Sequence, residues 1–284
     1  MTNKTQTIVA WIVAFVLMSG LAIYQRTTGP TYPKSGTTTV GGVDVKYSII
    51  RTFGGPGDAD VRITIPDKNI RGEMIFKRYK SYDEWTIQEM KVEGNELVGY
   101  LPHLPPAGKM IFEIFLEKDK ERVMVTKEPV ILRFKGSVPD FILIPHIIFM
   151  FTAMVFSLRA AISGLYKWDT TFSYSKYTLI LFAIGGLMFG PMVQYYAFGF
   201  LWTGWPLADG SFNLLKFGDL TDNKTLMGIA TWVIAYIQMR RNPNAKYWAV
   251  IAAVVLIAVY LIPHSAMGSE IDFRELENIP QPKL

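Results

Sequence analysis

The tetrapeptide Leu-Ile-Pro-His occurs twice in this chain, at 143–146 and at 261–264, each time at one end of a long apolar segment. The chain has three histidines, and the third, His103, lies between Pro102 and Leu104, where we expect an ordinary surface or corner residue. Imidazole nitrogens ligate metal ions and haem iron. His146 and His264 are therefore the first candidates for chemistry.

Two imidazoles at one membrane level could bind a b-type haem, and with carboxylates they could bind Zn, Fe or Cu. The candidate metal ligands are His146, His264, Asp219, Asp222 and Glu270. Two other interpretations remain open. The histidines could contact a quinone or another small ligand, or each could simply hydrogen-bond a loop carbonyl at a wet interface. The cofactor is therefore unknown, and no catalytic residue is predicted.

Apolar segments must position these histidines. Four are long enough for the about 20 helical residues that cross a bilayer, at 7–24, 141–158, 177–198 and 247–262. A fifth, 225–239, is shorter and less apolar, and we count it because the charge pattern requires it. The sequence thus predicts a five-span helical membrane protein, with a four-helix domain at 139–264 that follows an N-terminal anchor at 1–26.

The distribution of Lys and Arg predicts the orientation, because cytoplasmic loops carry an excess of both. The loop after the second span has three basic residues and one acid, and the loop after the fourth has three basic residues and no acid. The first of these loops contains Arg159, Lys167, Lys176 and Asp169, and the second contains Arg240, Arg241 and Lys246. We therefore expect a bacterial inner membrane protein with a cytoplasmic N-terminus and an extracytoplasmic acidic tail at 265–284. A cleaved signal peptide is the alternative for the first span.

A polar region between the first two spans has the pattern of a β-domain. Residues 27–39 are rich in Thr, Gly and Pro and predict a linker. Within 40–138, apolar and polar residues alternate at 43–49, 60–65, 73–78, 96–101, 109–116 and 123–134. Such short strands predict an extracytoplasmic β-sandwich. Residues 99–114 resemble the corner between strands E and F of immunoglobulin-like and fibronectin-like modules.

An outer loop at 199–224 is long for a compact bundle, which is typical of functional or disordered loops. Its aromatic residues need burial or an interface, so we predict an interface at Trp202, Trp205, Phe212 and Phe217. We place the N-cap of the following helix at Thr221 or Asp222.

Several function classes are unlikely on composition. The chain has no cysteine, which excludes thiolate chemistry. Its net charge is +5. Its basic residues do not cluster with aromatics, so we expect no nucleic-acid partner. No acid or base lies deep in a predicted span, which argues against a pump.

The layout of an anchor followed by an outer β-sandwich is similar to that of accessory proteins of respiratory oxidase assembly. We therefore predict a non-catalytic subunit or accessory protein of an inner-membrane complex, in contact with the bilayer and with other subunits. The first alternative is a metal- or haem-binding redox protein that uses His146 and His264. The second is a transporter or sensor whose sandwich binds a ligand.

Overall fold

The computed structural model describes residues 4–207, 220–262 and 270–277. The chain divides into two compact units. One consists of Met1–Pro30 and Val138–Gly268 and contains the long helices; the other consists of Thr31–Ser137 and Ser269–Leu284 and contains the strands.

In its described part, the helical unit contains six helices and one π-helical segment. They are α1 Lys4–Thr28, α2 Asp140–Leu165, α3 Thr171–Phe182, the π-helical segment Ala183–Phe189, α4 Gly190–Phe198, α5 Leu220–Arg241 and α6 Tyr247–Leu261. The run from α3 to α4 is continuous. The core contains large side chains such as Trp232 and Phe182 and the small residues Ala249 and Ala252 of α6. Small residues let helix backbones approach closely.

The prediction of five spans is wrong. In the part of the chain that the structure describes, three helices are long and apolar enough to cross a membrane: Lys4–Thr28, Asp140–Leu165 and Thr171–Phe198. Helix α6 is apolar but has only 15 residues, which at 1.5 Å per residue is shorter than a hydrocarbon core of about 30 Å. Helix α5 carries Asp222, Lys224, Arg240 and Arg241. By length and composition, neither helix is a candidate span.

Within residues 31–137 and 270–277, the β-unit contains eleven strands and one short helix that follows them. The strands are β1 Lys34–Val40, β2 Val43–Ile49, β3 Thr52–Phe53, β4 Ala59–Thr64, β5 Arg71–Arg78, β6 Thr86–Glu89, β7 Lys91–Glu93, β8 Glu96–Leu101, β9 Lys109–Lys118, β10 Glu121–Met124 and β11 Val130–Phe134. The helix is α7 Phe273–Glu277. Strand β1 lies in the segment whose composition predicted a linker.

The expected immunoglobulin-like sandwich is also a wrong prediction, because the strands form three sheets. Strands β1 and β2 pair alone, β4, β8 and β7 form a second sheet, and the largest has the order β3-β11-β9-β5-β6 with β10 also on β9. The pair β3 and β11 is parallel. Alternating residues predict a strand but not its neighbour, since pairing joins residues far apart in sequence.

The expected strand at 123–134 is divided into β10 and β11. Pro129 precedes β11 and has no N–H for a ladder hydrogen bond. The long strand β9 lies at the centre of the largest sheet, where Phe76 of β5 faces Phe112 of β9 in the register. Phe112 is fully buried in the core with Met74, Ile114 and Leu132.

Candidate functional site

His146 lies in the second turn of α2 and contacts the π-helical segment. Its Nδ1 is 2.9 Å from the main-chain oxygen of Gly185. A carbonyl oxygen only accepts, so Nδ1 carries the proton and donates, and in the neutral ring Nε2 is left as an acceptor. This matches in kind the interpretation in which a histidine hydrogen-bonds a main-chain carbonyl, although the carbonyl belongs to a helix and not to a loop.

Glycines allow this contact. The Gly185 oxygen also accepts from the N–H of Gly190, five residues on, which is the π-helical pattern. A Cβ on Gly185 would lie 3.0 Å from Cβ of Phe149, and one on Gly186 would lie 2.9 Å from Cγ2 of Thr225. One face of the segment therefore packs closely on α2 and another on α5. The His146 ring thus bonds the oxygen of a glycine that packs closely on α2.

Asp222 is the centre of a buried polar network at the start of α5. Only 5% of the residue is exposed. Its Oδ2 accepts from the main-chain N–H of Thr203 at 2.7 Å and of Gly204 at 2.9 Å, and from Nε2 of Gln194 at 3.0 Å. One carboxylate thus joins α4, the loop after it and α5.

The neighbouring residue completes this arrangement. Oδ1 of Asn223 accepts from the main-chain N–H of Trp205 at 2.7 Å. A Cβ on Gly204 would lie 2.4 Å from Cβ of Asp222, so only glycine fits at 204. Helix α5 begins at Leu220, which places Asp222 inside the first turn and not at the predicted N-cap. Its carboxylate binds N–H groups of the loop after α4, and none at the start of its own helix is needed for this contact.

The predicted interface tryptophans lie beside this network. Both Trp202 and Trp205 are half-buried, and Nε1 of Trp202 donates to the main-chain oxygens of Gly204 at 3.0 Å and Trp205 at 3.2 Å. Their neighbours Phe200 and Leu201 are exposed, and sequence reasoning did not select them. Phe212 and Phe217 lie outside the described residues.

Glu270, a predicted metal ligand, belongs to the β-unit and pairs with two ammonium groups. Its carboxylate accepts from Nζ of Lys80 and of Lys109. Burial alone would raise the pKa of Glu270, but the hydrogen bonds from Lys109 and Lys80 outweigh burial and hold that pKa below its usual value. The pKa of Lys80 is raised by the same contact.

The residues after Glu270 extend this attachment. The ring of Phe273 is 7% exposed and belongs to the β core, and the guanidinium of Arg78 lies 4.6 Å from its centroid. The N–H of Ile271 donates to the oxygen of Ala107 at 3.3 Å, and that of Arg274 to the oxygen of Lys80 at 3.2 Å. Residues 270–277, which we name the C-terminal segment, are therefore part of the β fold.

The metal or haem site predicted from the sequence combined His146, His264, Asp219, Asp222 and Glu270. His264 and Asp219 lie outside the described residues. Within residues 4–207, 220–262 and 270–277, no three His, Asp or Glu side chains form a group that could hold a metal ion. The pairing of His146 with His264 remains a prediction.

Sequence reasoning missed Arg159. It was assigned to a loop, but it lies within α2 and is 1% exposed. Its guanidinium carbon lies 4.5 Å from the ring centroid of Tyr174, 5.0 Å from that of Trp168 and 5.7 Å from that of Trp11. Among the described residues, Nε and Nη1 of Arg159 have no hydrogen-bond partner. In the sequence, the aromatic residues in and beside the α2–α3 loop were the only indication that aromatic rings surround Arg159.

The comparisons with known proteins place the chain in no family. No family model matches, and no curated protein matches. One solved structure, described as "Crystal structure of Br derivative BhCBM56", is 12% identical, with a TM-score of 0.27, over 35% of this chain and 97% of the other. A similarity this slight supports no inference about fold or function.

Proposed function

We propose that this chain is a non-catalytic subunit or accessory protein of an inner-membrane complex, with electron-transfer complexes as the favoured class. The three candidate spans support membrane association. In this proposal the N-terminus is cytoplasmic, and the β-unit and C-terminal tail are extracytoplasmic. The β-unit and the loop after α4 contact the other subunits.

The observation that carries the proposal is an apolar surface on the free edge of the largest sheet. Strand β6 ends the strand order and pairs with β5 on one side only among the described residues. Tyr82 is 66% exposed, Ile87 64% and Trp85 40%. Exposed aromatic and aliphatic residues beside an unpaired strand edge are typical of an interaction site. We name Tyr82, Trp85 and Ile87 the β6 surface.

The loop after α4 supplies the second proposed contact. Phe200 and Leu201 are exposed, while the backbone behind them is held by the carboxylate of Asp222. Apolar side chains on a fixed backbone bind a partner with little loss of conformational freedom.

Two contacts support the proposed orientation. Nζ of Lys246, in the loop before α6, donates to Oδ1 of Asp169 at 3.1 Å and to the oxygen of Lys167 at 2.9 Å, so the two basic loops lie together at one end of the helical unit. In the β-unit, Glu270 pairs with Lys109. These contacts favour a topology in which the helices between Lys109 and Glu270 begin and end on one side of the membrane.

Isolation of the complex tests the proposal. The full chain is purified from its own membrane in mild detergent, as wild type and as Ile87→Lys. We expect co-isolation with integral membrane subunits that carry redox cofactors, and loss of these subunits from Ile87→Lys because a charge now lies in the β6 surface. Thr37→Lys, at an exposed position of β1, is the matched control and should retain them. A wild-type chain that elutes alone, or equal loss from both variants, would contradict the proposal.

A reporter fused after Leu284 tests the orientation independently. A phosphatase that is active only outside the cytoplasm should be active at this position. A cytosolic location of the reporter would refute the extracytoplasmic tail without bearing on the β6 surface.

A further inference from the structure

A groove of about 550 Å³ lies at the end of the helical unit where α3 and α6 begin and α5 ends. Its mouth contains Arg240 and Lys246, and its apolar wall contains Phe172, Tyr236 and Met239. The rings of Phe172 and Tyr236 stack with centroids 5.0 Å apart and an interplanar angle of 24°. The groove thus combines a cationic rim with an aromatic wall.

The groove has a net positive charge. Among the described residues that line it, Asp169 is the only acid, and it faces two basic residues. The Asp169 side chain is 97% exposed and lies 3.1 Å from Nζ of Lys246. Ion pairs this exposed contribute little free energy, so a stronger anion can replace Asp169 at Lys246.

The position of the groove selects the kind of anion. Phe172 lies in the first turn of the candidate span Thr171–Phe198, so the groove is at a membrane boundary. On α5, the exposed residues Val233 and Ile237 precede Tyr236 and Arg240 by three residues each. Residues three apart are neighbours on a helix surface. An apolar strip therefore leads from the cationic rim along the helix.

We infer that this groove binds an anionic phospholipid of the phosphatidylglycerol type. Its phosphate contacts Arg240 and Lys246, and an acyl chain lies along Tyr236 and the apolar strip of α5. Basic pockets between helices at the cytoplasmic face are suited to anionic headgroups. A free phosphate would use the rim but leave the aromatic wall without a ligand. This inference depends on the membrane assignment and not on the proposed subunit role.

Lipid-dependent thermal stability of the full chain in detergent is the test. Dioleoyl phosphatidylglycerol, dioleoyl phosphatidylcholine and inorganic phosphate are titrated separately, and lipids that remain bound are counted by native mass spectrometry. We expect phosphatidylglycerol alone to raise Tm and to remain bound. The double variant Arg240→Gln with Lys246→Gln should weaken its binding about thirtyfold, as expected for the loss of two cations at a membrane surface.

Arg241→Gln is the matched control, because Arg241 is an exposed neighbour that does not line the groove. It should bind phosphatidylglycerol within about twofold of wild type. Lys246→Gln keeps a side-chain N–H donor on the side of the oxygen of Lys167. If the double variant fails to fold, Arg240→Gln alone should weaken binding about fivefold.

Three results would overturn the inference. They are equal stabilisation by phosphatidylcholine, stabilisation by inorganic phosphate as large as that by phosphatidylglycerol, and equal weakening in the control and the double variant. The first indicates a general lipid contact, the second a soluble-anion site, and the third a diffuse charge effect.

Discussion

Glu270 and Lys109 form an ion pair although they lie 161 positions apart along the chain. The same carboxylate accepts from Lys80. The chain therefore leaves the β-unit, forms the helical unit and returns to complete the β fold. Since Phe273 lies in the β core, this return is a structural element of the unit.

We predict that Glu270→Gln weakens the attachment of the C-terminal segment. Two ammonium groups lose a charged acceptor, which should cost about 1–2 kcal/mol after allowance for partial exposure. Hydrogen exchange of the β9 amides, followed by mass spectrometry on the full chain, should quicken about tenfold. Glu275→Gln is the control, because Glu275 is exposed in the same segment. Equal exchange in both variants would show that the two lysines do not hold the segment.

The same pair should make the β-unit sensitive to acid. The pKa of Glu270 is lowered in the folded chain from an ordinary value of 4.5, so its stabilising contribution is complete above that value and is lost as pH falls through the folded pKa. The pKa of Asp272 falls from 3.8 to about 2, chiefly through its hydrogen bond from Arg274. Its contribution is thus lost between these two values.

The free energy of unfolding is measured from pH 7 to pH 3 for wild type and Glu270→Gln. The difference between the two should be constant near neutrality and should narrow below about pH 4.5. A difference that widened with acid would contradict the direction of the shift. In Asp272→Asn, measured down to pH 2, only the part of the loss that Asp272 contributes between pH 3.8 and about 2 should be absent.

Arg159 should stabilise the fold through its contacts with the rings of Trp11, Trp168 and Tyr174, the aromatic cage. A double-mutant cycle with Arg159→Met and Trp168→Leu should give a coupling energy of about 0.5–2 kcal/mol. Arg159→Met fills the same volume without a buried charge, so it should lower the free energy of unfolding only slightly or raise it. Arg159→Lys, in contrast, loses the planar group that stacks on the rings. Thermal unfolding in detergent measures all of these variants. Additive effects of the two cycle substitutions would show that the cation–π contact contributes nothing.

The loop after α4 should depend on the glycine at 204. Gly204→Ala places a Cβ 2.4 Å from Cβ of Asp222, so the backbone must move and the hydrogen bonds to the carboxylate lengthen. We expect a loss of about 2–4 kcal/mol and faster proteolysis near Thr203. Gly20→Ala, where a Cβ would meet nothing within 4 Å, should not destabilise the chain. Unchanged proteolysis in Gly204→Ala would indicate that the carboxylate is not what holds the loop.

Local patterns were enough to locate many elements. An apolar run of about 20 residues indicates a membrane helix wherever it lies, and α1, α2 and the run from α3 to α4 each contain such a segment. The predicted strands at 43–49 and 96–101 coincide with β2 and β8, because alternation of apolar and polar residues is a property of neighbouring positions. His146 was selected from its repeated tetrapeptide, and it contacts the π-helical segment.

Tertiary structure decided which groups each buried or paired charged side chain contacts. Nothing in the residues around Asp222 indicates that its carboxylate binds the N–H groups of Thr203 and Gly204, and nothing around Glu270 indicates Lys80 and Lys109. Arg159 was placed in a loop by its charge, yet three aromatic rings from different elements bury it.

The sequence by itself determined where the chain is apolar, where it alternates and which residues can do chemistry, because these depend on positions a few residues apart. Only the tertiary structure decided the order of the strands, the partners of each buried charge and the return of the C-terminal segment to the β-unit. Those features depend on contacts between distant residues, and the free energy of such a contact is not a property of either residue alone.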